Sequence, residues 1–207
     1  MLQKSAKQDL LHGSIVKTLI VFALPFMLSS LLQTLYNTVD TIVVGQFVGQ
    51  AGISAVSFTG TLINLSVTLC MGFSTAGQIM ISQYIGAGRG EGIKGIISTM
   101  MILVTMLSLF MSIVLIVFMD PILRLLSTPA EAFDMAKQYM TICGLGIIFT
   151  AFYNMFSAVF RGMGDSRHPF IFICIASVTN IVLDLLFTGL FGWGVAGAAL
   201  ATVIGQA

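Results

Sequence analysis

Apolar residues run along this chain in long blocks, broken by short clusters of charge and glycine. A helix needs ~20 mostly apolar residues to cross a bilayer. On that rule the pattern predicts six spans, at about residues 15–44, 52–85, 95–119, 138–160, 169–190 and 195–207. The charged breaks are Arg89-Gly90-Glu91 with Lys94, the segment from Asp120 to Lys137, and Arg161 to His168. Elsewhere the spans are joined by short uncharged turns containing glycine. The expected fold is an all-α integral membrane protein, a six-helix bundle. Its sixth span runs to Ala207 without meeting a stop, so the sequence is expected to be a piece of a longer chain.

Polar residues inside the spans fall into stripes. With each residue advancing ~100° around a helix, Ser29, Gln33, Tyr36, Asn37 and Asp40 share one sector of the first span. In the second, Ser57, Thr61, Asn64, Thr68, Thr75, Gln78 and Ser82 do the same. Without water, such groups either bond to other helices or line a wet cavity. In the fifth span Asn180 and Asp184 are four residues apart and stack on one face, with Ser177 and Thr188 nearby. Pro25 removes a hydrogen bond within the first span and is expected to bend it. Gly197, Ala201 and Gly205 form a row of small residues suited to close helix contact.

Composition turns these stripes into a functional question. Only 8% of residues are charged and 57% are hydrophobic, with a mean hydropathy of +1.02, which excludes a water-soluble globule. Nothing in the chain forms a nucleic-acid-binding patch. Asp40 and Asp184 each stand alone in an apolar run, where an ionised carboxylate costs roughly 2.5–3.5 kcal/mol. Residues kept at that cost mark an ion or substrate path. If both face one cavity, repulsion and poor solvation oppose charging the two together without a counter-ion. Carboxylate and amide oxygens are hard ligands that suit Na⁺ and equally a proton.

Cys70, Cys143 and Cys174 lie in apolar segments without metal-type spacing and are read as packing residues. With the N-terminus in the cytoplasm, Lys4, Lys7, Lys17, Arg89, Lys94, Arg161 and Arg167 fall inside. Only Arg124 and Lys137 fall outside, as the positive-inside rule requires. The expected location is the cell membrane, in contact with lipid. His12 and His168 are placed at headgroup level and Trp193 at the outer interface.

Three motifs suggest other chemistry. Gly86-Ala87-Gly88-Arg89-Gly90 lacks the strand-turn-helix context of a dinucleotide site and is read as a turn. Gly72 to Gly77 misses the spacing of a serine hydrolase. Gly162-Met163-Gly164-Asp165 matches the GxGD signature of intramembrane aspartyl proteases, a dyad that needs a second membrane aspartate. Asp165 sits in a charged loop, with an arginine as its expected partner. No enzymatic activity is expected.

The stretch Leu24-Pro25 through Leu35-Tyr36-Asn37 to Val39-Asp40-Thr41 and Gly45 resembles the first helix of the multidrug and toxic compound extrusion (MATE) family. Arg161 to Ser166 before Pro169, then Asn180 to Asp184 and Gly194 to Ala199, resemble it too. The resemblance implies one six-helix lobe of a twelve-helix, two-lobe transporter, with a second, C-terminal lobe as partner. It implies efflux of small amphipathic, often cationic, organic compounds by antiport with H⁺ or Na⁺, and no cofactor. It further implies a coupling-ion site at Asp40, Asn180, Asp184 and Thr202. Tyr36 and Tyr139 would lie near that site, Gln33 and Asn154 would line the lobe cavity, and the bend at Pro25 would take part in gating. A lipid-linked saccharide flippase of related architecture is the alternative, but it favours a strongly cationic cavity and no Lys or Arg lies mid-span.

Overall fold

The computed structural model describes residues 15–207, so Lys4, Lys7 and His12 lie outside the described residues. Those residues form seven α-helices and no strand. They are α1 (Ile15–Phe47), α2 (Gln50–Gly86), α3 (Ile93–Val117), α4 (Met119–Leu125), α5 (Ala130–Gly162), α6 (Arg167–Asp184) and α7 (Gly194–Gln206). Four stretches, Gln50–Gly86, Gly90–Val117, Ala130–Gly162 and Arg167–Leu190, are long and apolar enough to cross a membrane. The chain is an all-α, multi-pass membrane bundle.

α5 is its centre. Half of its apolar window is buried inside the bundle, against 22–28% for the other three, which leaves those helices mostly facing outward. Ala132, Ala136 and Met140 recur every fourth residue and pack with Ile147 against Ala55, Leu115 and Leu123. Further along, Ala151, Met155 and Val159 meet Cys70, Ile81, Met100 and Val104. A third group, Tyr139 and Cys143, faces Val44, Val195, Ala198 and Ala199. One helix thus carries three apolar clusters, and small residues on it let α2, α3 and α7 approach closely. All three cysteines are free, with Cys70 and Cys143 buried in these clusters.

The breaks have local causes. α5 begins at Ala130 because its first two turns are amphipathic, with Lys137 bonded to Asp120 of α4 at 2.8 Å and its ammonium 5.7 Å above the Phe133 ring. Pro129, with φ −55° and ψ 143°, starts that helix from an extended residue. The Gly86–Gly90 turn holds Gly88 at φ +71°, a backbone conformation glycine adopts without a Cβ penalty. α1 runs unbroken through Pro25, whose carbonyl accepts a hydrogen bond from the Ser29 hydroxyl at 2.8 Å.

The helix row on α7 packs as its small residues suggest. A Cβ at Gly197 would stand 2.9 Å from the Phe187 carbonyl carbon, and one at Gly205 would stand 3.1 Å from the Ala176 oxygen. α7 therefore seats directly on the backbone of the segment before it, which carries Asp184.

Candidate functional site

Asp40 comes from α1 and Asp184 from the last turn of α6, two helices packed against each other. Asp184 is fully buried and Asp40 is 8% exposed, with the two carboxyls within hydrogen-bonding reach of one another. One turn before Asp184, buried Asn180 donates from Nδ2 to the Thr202 hydroxyl of α7 at 3.3 Å. Tyr139 of α5 is buried close by. Four helices therefore deliver Asp40, Asn180, Asp184, Thr202 and Tyr139 to one place.

The decisive feature is what these groups lack. Asp40 Oδ1, Asn180 Oδ1 and both carboxylate oxygens of Asp184 are buried without a hydrogen-bond partner. A buried acceptor left unpaired costs ~1–3 kcal/mol, and more when charged. Four such oxygens in one cluster form a set of acceptors with no protein donor. The donor atoms are all oxygen, from two carboxylates, an amide and a hydroxyl, and hard oxygens fit a proton or an alkali cation.

Immediately after Asp184 the helix widens into a π-helical turn, Leu185–Leu190. Such turns are rare and concentrate at functional sites. Here the turn is closed by the Thr188 hydroxyl donating to the Gly194 carbonyl at 3.2 Å, and Gly197 packs onto its backbone. The position of Asp184 is thereby tied to the seat of α7.

About two turns or more before Asp40 along α1, a cavity of about 160 Å³ opens between α1, α5 and α6. Gln33 and Asn154 both line it, together with Ser29 and Arg161. Tyr36 is buried one turn before Asp40, and its hydroxyl accepts from Gln206 Nε2 at 3.3 Å. Gln206 in turn accepts a hydrogen bond from Thr150. Gln206 thus links α5, α7 and α1 beside the acidic pair, a role sequence reading missed because no pattern distinguishes a lone amide at a helix end. Asn37 stands apart, exposed at the surface, with only its carbonyl engaged, by Thr41.

Asp165 corrects an expectation. Its partner is His168 and not an arginine: the His168 ring bonds one carboxylate oxygen while the backbone N–H groups of Arg167 and His168 donate to the other. The carboxylate thus caps the first two N–H groups of α6 from the residue before Ser166. Burial works against its charge, but the His168 ring and the two N–H donors outweigh it and hold the carboxyl below its ordinary range. With the folded pKa below the unfolded one, this stabilisation is complete above ~pH 4 and is lost as the pH falls through the folded value. Asp165→Ala should cost about 1 kcal/mol in thermal unfolding at pH 7, and the gap to the parent protein should close on acidification. A gap that widens in acid would contradict the capping role. No second aspartate joins Asp165 among the described residues, so the GxGD reading loses its dyad.

Residues 25–186 match the MatE family model. The chain belongs to the MatE family. This MatE chain is 32% identical over 198 residues to the probable multidrug resistance protein YpnP of Bacillus subtilis (strain 168), covering 96% of this chain and 44% of that protein. Solved structures of MATE in the straight and bent conformations align with it at a TM-score of 0.88 each, at 29% and 28% identity respectively. Each alignment covers 98% of this chain and 45% of the other. The chain spans under half the length of these proteins, consistent with one lobe of the family's architecture.

Proposed function

We propose that this MatE chain is the ion-coupling lobe of a secondary active exporter, which admits H⁺ or Na⁺ in exchange for small amphipathic, often cationic, organic compounds. The single observation that supports the reading is the cluster of unpartnered oxygens around Asp40 and Asp184. An apolar core would be more stable than two adjacent buried acids, so the acids earn their place by binding something that comes and goes. Asp40 and Asp184 supply the charge, with Asn180 and Thr202 as neutral oxygen ligands. Tyr36 and Tyr139 border the site, and no cofactor enters the cycle.

The cargo enters the cavity of Gln33 and Asn154, which adjoins the same sector of α1 about two turns before Asp40. Loading the ion removes repulsion between the carboxylates, lets α1 and α6 draw together at that level, and changes the space available in the cavity. Pro25, lacking an N–H, is the point where α1 yields at least cost. A second lobe is the partner against which this one moves, since alternating access needs two units. The exposed polar residues of α1 and α2, Thr34, Thr38, Thr61, Asn64 and Thr68 among them, suit a face turned toward that partner or a wet cleft. The excess of Lys and Arg on one side supports a cytoplasmic N-terminus.

The test is efflux of a fluorescent cationic dye from vesicles carrying the protein, under a Na⁺ gradient and a pH gradient imposed separately. At least one gradient should drive dye movement several-fold above the leak. Equal rates with both gradients collapsed by ionophores would remove ion coupling.

A further inference from the structure

Among the described residues, Arg161 is the one cation that lines the cavity between α1, α5 and α6, and no carboxylate lines it. Its Nε donates to the Gln78 side-chain oxygen at 3.3 Å, and its guanidinium carbon lies 5.8 Å from the centre of the Phe26 ring. Among the described residues it has no acidic partner, since the ion pairs there join Lys137 to Asp120 and His168 to Asp165. One turn earlier on α5, the Ser157 hydroxyl also lines the cavity, buried and without a hydrogen-bond partner. A half-buried guanidinium held by its Nε and by an aromatic face keeps its two terminal nitrogens for another group. That fork matches a carboxylate or phosphate, which it can bind through two parallel hydrogen bonds.

We infer that this cavity takes the anionic group of the cargo, a carboxylate or phosphate ester on an aromatic body, with Arg161 as its counter-ion and Ser157 as a further donor. The inference rests on the export reading and narrows its substrate class, from cations toward zwitterions and anions. Phe26 and Tyr153 offer ring faces to the aromatic body, while Gln33 and Asn154 offer amides to its polar substituents. A phospholipid headgroup carries the same anionic chemistry. The mixed amide and aromatic lining favours a compact polar arene over a headgroup trailing two acyl chains.

Equilibrium dialysis with the purified protein in phosphatidylcholine nanodiscs, using 2-naphthoate and its methyl ester as probes, tests this without requiring transport. The acid should bind ~10-fold tighter than the ester, the scale of one charge-assisted bidentate contact. Arg161→Gln should reduce that preference to within ~2-fold, and Arg161→Lys should retain part of it. Equal binding of acid and ester by the parent protein overturns the inference whatever the variants do, as does a preference that survives Arg161→Gln in folded protein. Adding phosphatidylglycerol to the nanodiscs separates the sources. Unchanged naphthoate affinity supports a cargo site, whereas displacement by the lipid overturns it in favour of a headgroup. Failure of gradient-driven efflux of both the cationic dye and 2-naphthoate, with intact naphthoate preference, would count against export and leave the anion site standing.

Discussion

Asp184→Asn should abolish ion-driven efflux, by at least ~100-fold, while the protein inserts normally and becomes harder to unfold. The two effects have one cause. Asp184 is fully buried, with both carboxylate oxygens unpartnered and the Asp40 carboxyl within reach. An amide of nearly the same shape carries no charge to repel Asp40, and its Nδ2 can donate to the Asp40 oxygen that now lacks a partner. Giving a buried, unpartnered oxygen one hydrogen-bond donor stabilises by about 1 kcal/mol. The price is the loss of the charge that draws the coupling ion. Dye efflux in vesicles and thermal unfolding in detergent read the two halves independently. Full efflux in the variant would remove Asp184 from the mechanism, and a lower unfolding temperature would make it a structural tie.

Gly197→Ala should destabilise the bundle by about 1–3 kcal/mol, the usual scale of overpacking. The added methyl would stand 2.9 Å from the Phe187 carbonyl carbon and 3.0 Å from the Thr188 nitrogen. Both are backbone atoms, which cannot rotate away as a side chain would. Relief has to come from moving α7 or the π turn, and that turn begins at the residue after Asp184. Efflux should therefore fall along with stability. Gly60→Ala on α2 is the control, since nothing lies within 4 Å of its Cβ position. There alanine should be neutral or stabilising by ~0.5–1 kcal/mol, because it loses less backbone freedom on folding. Comparable losses in the two variants would mean that the contact with the π turn does not set the cost.

Most of the fold could be read from hydropathy alone, because in a bilayer a helix is the one solution that satisfies its own backbone over a long apolar run. The pairing of Asn180 with Asp184 followed from a four-residue spacing that puts both on one face. The stripe on α1 was legible only in part. Its sector is wide enough to straddle a seam: Tyr36 and Asp40 turn inward, while Gln33 and Asn37 are exposed. Periodicity reports an angle around one helix and carries no information about where the neighbouring helix stops. The π turn left no trace either, since Leu185 to Leu190 carries no charge or proline to mark it and Gly197, which packs onto its backbone, is met later in the chain. The Asp165–His168 pair was missed for a different reason. Charge alone favoured arginine, but a helix cap is decided by which donors a three-residue reach can gather.

The hydroxyls of α1 and α2 have a consequence for what their exposed flank needs. Thr34, Thr38, Thr41, Thr61 and Thr68 are exposed, yet each donates its proton to the carbonyl four residues earlier. A side chain already bonded within its own helix loses little on meeting hydrocarbon. These five hydroxyls can thus face hydrocarbon at little cost, which leaves the exposed amides Asn37 and Asn64 as the groups on this flank that most need a covering partner or water.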